Sequence, residues 1–470
     1  MSVDITRLQA ILDRQRAAFR RDGAPAIEAR RGQLARLRAQ LLAGVDRIVQ
    51  AVSDDFVTRS PRETRFLEIA AVVTAIDTAV AHLADWARPT DVATPTFLGA
   101  AHSSAAPRPK GIVGIIVPWN YPVGLALAPL VAAVSAGNRV MLKPSAHTAS
   151  TAQVLGDIIA AVFSEDEVAV VAGGHGLGEA FASLPFDHLF FTGSTDVGKS
   201  VMRAAAANLV PVTLELGGKS PVLIAPGFPV DEAVVPIAWG KTISAGQTCV
   251  APDYALVPHA DALVFAARLR GAFERFFPTV ADNPDYTAII NDREYARVQR
   301  LVADAAARGG EVIQIGEGED ASRRGRKIPP TVILHATPAM AAMQEEIFGP
   351  VLPVVGYGSL DEALAIMNAL PSPLAMYLFT HDESVKARVL AGTQAGGVTV
   401  NGVLSHMLND GLAFGGVGAS GMGAYHGHAG FLAFSHVQSR LDHGTARRPI
   451  DRLTAPYTPF FDRLVDGWLR

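Results

Sequence analysis

From Asp4 to Trp86, apolar residues recur at helical spacing. Leu8, Ile11, Leu12 and Phe19 form one stripe, and Leu34, Leu37, Leu41 and Leu42 another. Arginines and acids fill the other faces, so the pattern predicts covering helices with no chemistry of their own. Residues 90–109 break it with proline, threonine and serine and read as a linker. From Gly111 the period changes. Short apolar runs at Ile112–Val117, Arg139–Leu142, Val168–Ala172, His188–Phe191 and Val212–Leu216 predict strands, with helical stretches between most of them. This alternation predicts an α/β fold built on a mostly parallel sheet covered on both faces. Such sheets bind ligands beyond the carboxyl ends of their strands. A second α/β region starts at Ser220-Pro-Val-Leu-Ile224 and runs to about residue 400. Within it, Gly316–Lys327 reads as an exposed loop. The chain ends in an amphipathic stretch, Phe460–Arg470.

Composition narrows the class. The chain has 470 residues, enough for two or more domains. It is 49% hydrophobic and 18% charged, as in a large globule with a sizeable core. The net charge of −4 offers nothing to a nucleic acid or an anionic membrane. One cysteine permits no internal disulfide, which fits a reducing compartment, and the charged N-terminal pattern shows no signal peptide. A cytoplasmic location is expected. The charge-free run from Gly111 to Asn138 is long enough to span a membrane. Its prolines, Trp119 and Asn120 instead predict a strand, a loop and a core helix. The C-terminal stretch is too short and too charged to span, so no membrane span is expected.

That one cysteine is Cys249, in Ser244-Ala-Gly-Gln-Thr-Cys-Val-Ala-Pro252. A lone cysteine is most often a small buried hydrophobe. Here Gln247 and Thr248 place hydrogen-bonding groups beside it, and Gly246 and Pro252 predict a helix ending in a fixed loop. The arrangement suits a nucleophile. A thiol nucleophile needs a base and an oxyanion stabiliser. Glu215 ends an apolar strand before a Gly-Gly turn, where a carboxylate is costly unless paired or functional. Asn120, in Pro118-Trp-Asn-Tyr-Pro122, puts a neutral amide donor in a rigid loop. Alone, Glu215 reads as well as a solvated strand end and Asn120 as a turn residue. With Cys249 they form a constellation.

These stretches resemble the NAD(P)-dependent aldehyde dehydrogenase superfamily. Leu214-Glu-Leu-Gly-Gly-Lys-Ser-Pro221 matches its glutamate signature and Gly246-Gln-Thr-Cys249 its cysteine signature. Phe191-Thr-Gly-Ser-Thr195, Glu345-Glu-Ile-Phe-Gly-Pro350, Pro118-Trp-Asn120 and Phe414-Gly-Gly-Val-Gly418 follow in family order, and the similarity reaches about residue 440. Within the family the chain is similar to the shorter, class-3-like branch and to its coniferyl-aldehyde dehydrogenases. Gly246–Tyr254, Gly423-Ala-Tyr-His-Gly427 and the aromatic tail carry that likeness.

The resemblance implies a Rossmann-like cofactor domain (1–89 and 110–216) and an α/β catalytic domain (217–400). It implies an oligomerisation arm (90–109 and 433–443), a Gly-rich cleft segment (401–432) and a C-terminal tail (444–470). It implies a homodimer, with a tetramer as the alternative. The implied reaction is oxidation of an aldehyde to the acid with NAD or NADP. Cys249 is then the nucleophile, Glu215 the base that hydrolyses the thioester, and Asn120 the oxyanion donor. No G-x-G-x-x-G follows the first strand. Gly193, Ser194 and Gly198 open a helix instead, whose free N–H groups suit a pyrophosphate. The resemblance adds Trp119, Lys143, Glu346 and Phe348 as cofactor-binding residues. No metal is expected, and His426 and His428 read as packing or surface residues. The loop Val403–Asn409 is expected to line the substrate entrance. Most relatives follow Lys-Pro-Ser with glutamate, which takes the ribose hydroxyls. Here Ala146 and His147 follow, so tolerance of NADP is expected. The substrate is an aromatic enal or a medium or long alkanal. A CoA-acylating enzyme, opposed by Glu215, and a catalytically silent member of the fold are the alternatives.

Overall fold

A computed structural model describes residues 5–174, 176–314, 325–445, 451 and 453–469. Strands are numbered in chain order. The first sheet contains β3 (Ile112–Ile116), β4 (Arg139–Lys143), β5 (Val168–Val170), β6 (His188–Thr192), β7 (Val212–Glu215) and the short β15 (Gly421–Met422), in the order β15-β7-β6-β3-β4-β5. All neighbours are parallel except β15, which pairs antiparallel with β7. β3, β4 and β6 are buried at every position. Sheets covered on both faces need such continuous apolar runs.

The second sheet contains β8 (Pro221–Ile224), β9 (Tyr254–Pro258), β10 (Glu311–Gln314), β11 (Thr331–Leu334), β12 (Val351–Tyr357), β13 (Ala375–Phe379) and β14 (Gly397–Val400). Their order is β10-β11-β12-β9-β8-β13-β14. Only β10 and β11 pair antiparallel. The α/β expectation is met, with each strand run at or within two residues of its expected end.

A third sheet joins β1 (Thr90–Val92) and β2 (His102–Pro109) to β16 (Ser435–Asp442), all antiparallel. The stretch read as a linker is therefore strand at both ends. β16 is exposed beyond its first residue. Asn138 fastens this arm to the first sheet. Its amide donates to the carbonyls of Ala133 at 3.0 Å and Phe434 at 2.9 Å, and its oxygen accepts from Gly111 N–H at 2.9 Å.

Helix Ile5–Asp22 packs on β3 and β4, and on helices Gly124–Ala136 and Ala149–Ala160 lie Ile27–Ala43, Val45–Phe56 and Pro61–Trp86. The last is long and apolar enough to cross a membrane by length and composition. Here it packs against Gly124–Ala136, which is apolar all round and largely buried. A π-helical turn, Thr64–Ala70, widens it near its start. One expectation changes, at Lys327. The loop reading of Gly316–Lys327 falls mostly outside the described residues, but Lys327 is buried, donating to the carbonyls of Ala281 at 3.0 Å and Asn283 at 2.7 Å. The tail forms a helix, Pro459–Trp468, with no buried residue; Trp468 meets Phe97 edge-on at 5.0 Å.

Asn138→Ala strands two buried polar groups at the junction of arm and sheet, the Phe434 carbonyl and the Gly111 N–H, while the Ala133 carbonyl keeps the Asn138 backbone N–H. A loss of about 1–3 kcal/mol is expected for each group left unpaired, read as a lowered urea midpoint. An unchanged midpoint would show that the arm is fastened elsewhere.

Candidate active site

Helix Val230–Thr242 ends at a turn of unusual backbone shape. Ser244, Ala245 and Gly246 have φ of 50°, 51° and 73° in succession. A Cβ at Gly246 would lie 2.3 Å from the Gly349 carbonyl oxygen, so glycine alone fits. Gln247 bolts the turn in place. Its Nε2 donates to the carbonyls of Ser244 at 2.9 Å and Ala288 at 3.0 Å, and its Oε1 accepts from Ile290 N–H at 3.0 Å. The Tyr121 hydroxyl pairs with Thr248 Oγ1 at 2.7 Å. Asn120 Nδ2 donates to the Gln247 carbonyl at 3.1 Å, which brings the amide beside the turn that carries the thiol.

Cys249 is partly buried. Burial pushes its thiol up to about 12; the charges of Glu346 and Glu215 add to this, and the N–H groups of Cys249 and Val250 oppose it. Those two N–H groups are donors to any negative charge at the sulfur.

Glu215 ends β7, in register with Thr192 of β6 and Gly421 of β15. It is 2% exposed, and neither carboxyl oxygen has a hydrogen-bond partner. Burial holds it well above the usual carboxylate range. An acid in this state keeps its proton at rest and is strongly basic once ionised.

Glu346 lies against the glycine turn after β7. A Cβ at Gly217 would sit 2.4 Å from Glu346 Oε2, and Gly218 N–H donates to the carboxyl group. Burial lifts this acid to about 8, aided by Asp253 and opposed by Lys219 and Arg297. Arg297 also holds the carbonyls of Glu346 at 3.1 Å and Ile347 at 2.7 Å. Phe348, at φ 49°, meets Trp119 edge-on at 5.3 Å. Glu346, Phe348 and Trp119 therefore converge from both α/β regions.

Lys143 ends β4 and is buried, with Nζ 3.2 Å from the Pro144 carbonyl; burial lowers its pKa. Ser194 starts helix Thr195–Ala206 without a side-chain cap, so no side chain there claims the first-turn N–H groups. Gly198 lets this helix close on Leu216, whose Cδ2 would be 2.7 Å from an added Cβ. It therefore acts through packing. An uncapped helix end, a buried lysine and a cradled carboxylate at the carboxyl edge of one sheet fit the phosphates and riboses of a dinucleotide.

On its other side Cys249 faces a cavity of about 270 Å³. The cavity runs between helices Pro61–Trp86 and Gly124–Ala136. Trp86, Trp239, Phe414 and Tyr425 wall it, and Leu404 and Met407 border it, which places part of the Val403–Asn409 loop there. His426 also lines it. It is half-buried, stacks on Phe414 at 5.1 Å, and its buried Nδ1 has no hydrogen-bond partner. Burial, then His406, lowers its pKa to about 4. His428 stacks on Trp86 at 5.8 Å. Among the described residues no group of three His, Cys, Asp or Glu could hold a metal ion.

The N-terminal helices do more than cover. Arg59, Glu63 and Glu68 reach the loops of Asn120 and Cys249. One signal for Glu68 was legible: it shares an i, i+4 stripe with Thr64, Val72 and Ile76, all on the buried face. Gln247 was visible only as a polar neighbour of the thiol.

The sequence pattern of the aldehyde dehydrogenase family matches residues 4–439. The "Probable coniferyl aldehyde dehydrogenase" of Caulobacter vibrioides is 50% identical over 91% of this chain and 89% of that protein. The "Coniferyl aldehyde dehydrogenase" of Pseudomonas sp. strain HR199 is 42% identical over 97% and 95%. A solved structure of Staphylococcus aureus AldH in a substrate-bound state superposes with a TM-score of 0.92 at 35% identity, covering 98% of this chain and 99% of that one. The chain belongs to the aldehyde dehydrogenase family and is an NAD(P)-dependent oxidoreductase that converts an aldehyde to the carboxylic acid.

Proposed function

We propose that the aldehyde is an aromatic enal of the coniferyl aldehyde type and that Cys249 carries it as a thioester. The observation that carries this reading is the aromatic-walled cavity that opens onto Cys249. Flat walls at Trp86, Trp239, Phe414 and Tyr425 suit a planar conjugated substrate. The unpaired Nδ1 of His426 offers a polar partner within a largely apolar space, as does Asp410. Relatives that carry the coniferyl name span almost the whole chain.

In this reading the Cys249 thiol gives up its proton to solvent, its sulfur forms a bond to the carbonyl carbon, and the carbonyl π-electrons move to oxygen. Asn120 Nδ2–H and Cys249 N–H stabilise the resulting oxyanion. Lys143, Gly193, Ser194, Glu346, Phe348 and Trp119 would hold NAD(P)+, which would supply the acceptor for the aldehydic hydrogen and its electron pair. The acyl group is then a thioester on Cys249. Glu215, in ionised form, takes a proton from a water that attacks this carbon. The C–S bond breaks, the acid leaves, and the sulfur is restored. Burial of Glu215 without a partner makes it a strong base for this step.

Residues 1–89 with 110–216 form the cofactor domain and 217–400 the catalytic domain. The 90–109 and 433–443 arm joins two copies, its exposed β16 edge supporting a homodimer. The single thiol supports a reducing cytoplasm. Ala146 is exposed just after β4 and carries no charge to repel a 2′-phosphate, which supports use of NADP beside NAD.

Glu215→Gln should release about one equivalent of reduced cofactor per site in a burst and then slow by about 10²-fold or more. Stopped-flow absorbance reads this, and full steady turnover in the variant would remove Glu215 from deacylation. For the substrate, initial rates with coniferyl aldehyde should exceed those with a medium-chain alkanal by at least about tenfold in kcat/KM, a difference of about 1.4 kcal/mol. Both NAD and NADP should support them. Activity on alkanals alone would overturn the aromatic reading, and inert NADP would overturn the role given to Ala146.

A further inference from the structure

Three charged side chains beside the site belong neither to the cofactor cleft nor to the substrate cavity. The Arg59 and Glu68 side chains are fully buried and 3.5 Å apart. Glu68 Oε2 accepts from Val123 N–H at 2.7 Å and Gly124 N–H at 3.1 Å, so it closes the loop that begins at Asn120. Arg59 Nη1 donates to the Asn120 carbonyl. The guanidinium also lies 4.7 Å from the Tyr121 ring centre and 4.8 Å from that of Phe56. Tyr121 in turn holds Thr248, the neighbour of Cys249.

Glu63 reaches the other loop. Its Oε2 accepts from Ser244 N–H at 3.1 Å and Thr287 Oγ1–H at 2.9 Å. Ser244 is the first left-handed residue of the cysteine turn. The π-helical turn Thr64–Ala70 starts directly after Glu63 and contains Glu68. Residues five apart would diverge on a regular α-helix, whereas a π turn bonds i to i+5 and draws them to one side. Such turns are concentrated at functional sites.

We propose that Arg59, Glu63 and Glu68 are positioning residues that set the distance between the Cys249 turn and the Asn120 loop, so that thiol and amide address one carbonyl group. The inference rests on the roles proposed for Cys249 and Asn120. Each residue acts through backbone it holds: Glu63 through Ser244, Glu68 through Val123 and Gly124, and Arg59 through Asn120 itself. None lies where it would touch the reacting atoms.

The test is a double-mutant cycle. Removing one partner of a buried pair leaves an uncompensated buried charge, so Arg59→Met is combined with Glu68→Gln to remove both charges. This double variant should lose about 10²-fold in kcat, the scale of one oxyanion donor. KM for the aldehyde and the Kd for NAD by fluorescence should change less than about twofold. In an Asn120→Ala background the same pair should cost less than about threefold, because the geometry it protects is already lost. Glu63→Ala, which leaves the Arg59–Glu68 pair intact, carries the same test if the double variant does not fold. Its kcat loss should likewise shrink when Asn120 is alanine. Losses that multiply fully in the cycle, or a rise in both KM and Kd as large as the fall in kcat, would overturn the proposal. If Asn120→Ala alone keeps wild-type kcat, the role of Asn120 is wrong and the positioning role falls with it.

Discussion

Ser244, Ala245 and Gly246 hold positive φ one after another, a path that costs an L-residue about 1–2 kcal/mol at each of the first two positions. Packing around the turn offsets this. The Gly349 carbonyl fills the space a Cβ would need at Gly246. Gln247 ties the turn to Ala288 and Ile290, and Glu63 ties it to the N-terminal helices. The turn is therefore fixed by three separate parts of the chain. Strain of this kind persists only where the surroundings over-determine it, and it collects at sites of chemistry. Here it presents one thiol to the cavity with Asn120 alongside.

The second physical theme is dryness. Glu215, Glu346 and Cys249 are all shifted toward their neutral forms, in each case chiefly by burial. A resting site with few charges tolerates an apolar substrate beside it. The same dryness strengthens every interaction with charge that develops during reaction. Neutral Asn120 and backbone N–H donors suit such a site better than a cation, which would itself need a partner. The structure spends its fixed charges one layer out, in Arg59–Glu68 and Lys219–Asp253, where they hold loops.

Much of this was legible in the chain. β3, β4 and β6 announce themselves as apolar runs because both faces are buried. Glu215 and Cys249 are conspicuous because a carboxylate ending an apolar strand and a thiol in a polar turn both break local rules. What stayed hidden depends on contacts distant in sequence. Nothing in Ser244 or Ala245 signals left-handed backbone, since neither is Gly or Asn. The turn is held by contacts with Glu63, Ala288, Ile290 and Gly349, all distant in sequence. Glu63 resembles a surface acid of a charged helix until packing shows which face is inward. Lys327 reads as a loop lysine beside Gly and Arg, and only the fold reveals the carbonyls of Ala281 and Asn283 that bury it.

The central claim is that the oxidised substrate passes through a bond to Cys249. It is tested most directly by acid-quenching the enzyme during steady turnover of an aldehyde and mapping the peptides by mass. The account predicts that the peptide containing Cys249 gains the mass of the aldehyde less two hydrogens, one lost from the thiol and one in the oxidation. Turnover with Cys249 unmodified and the adduct on another residue would contradict it.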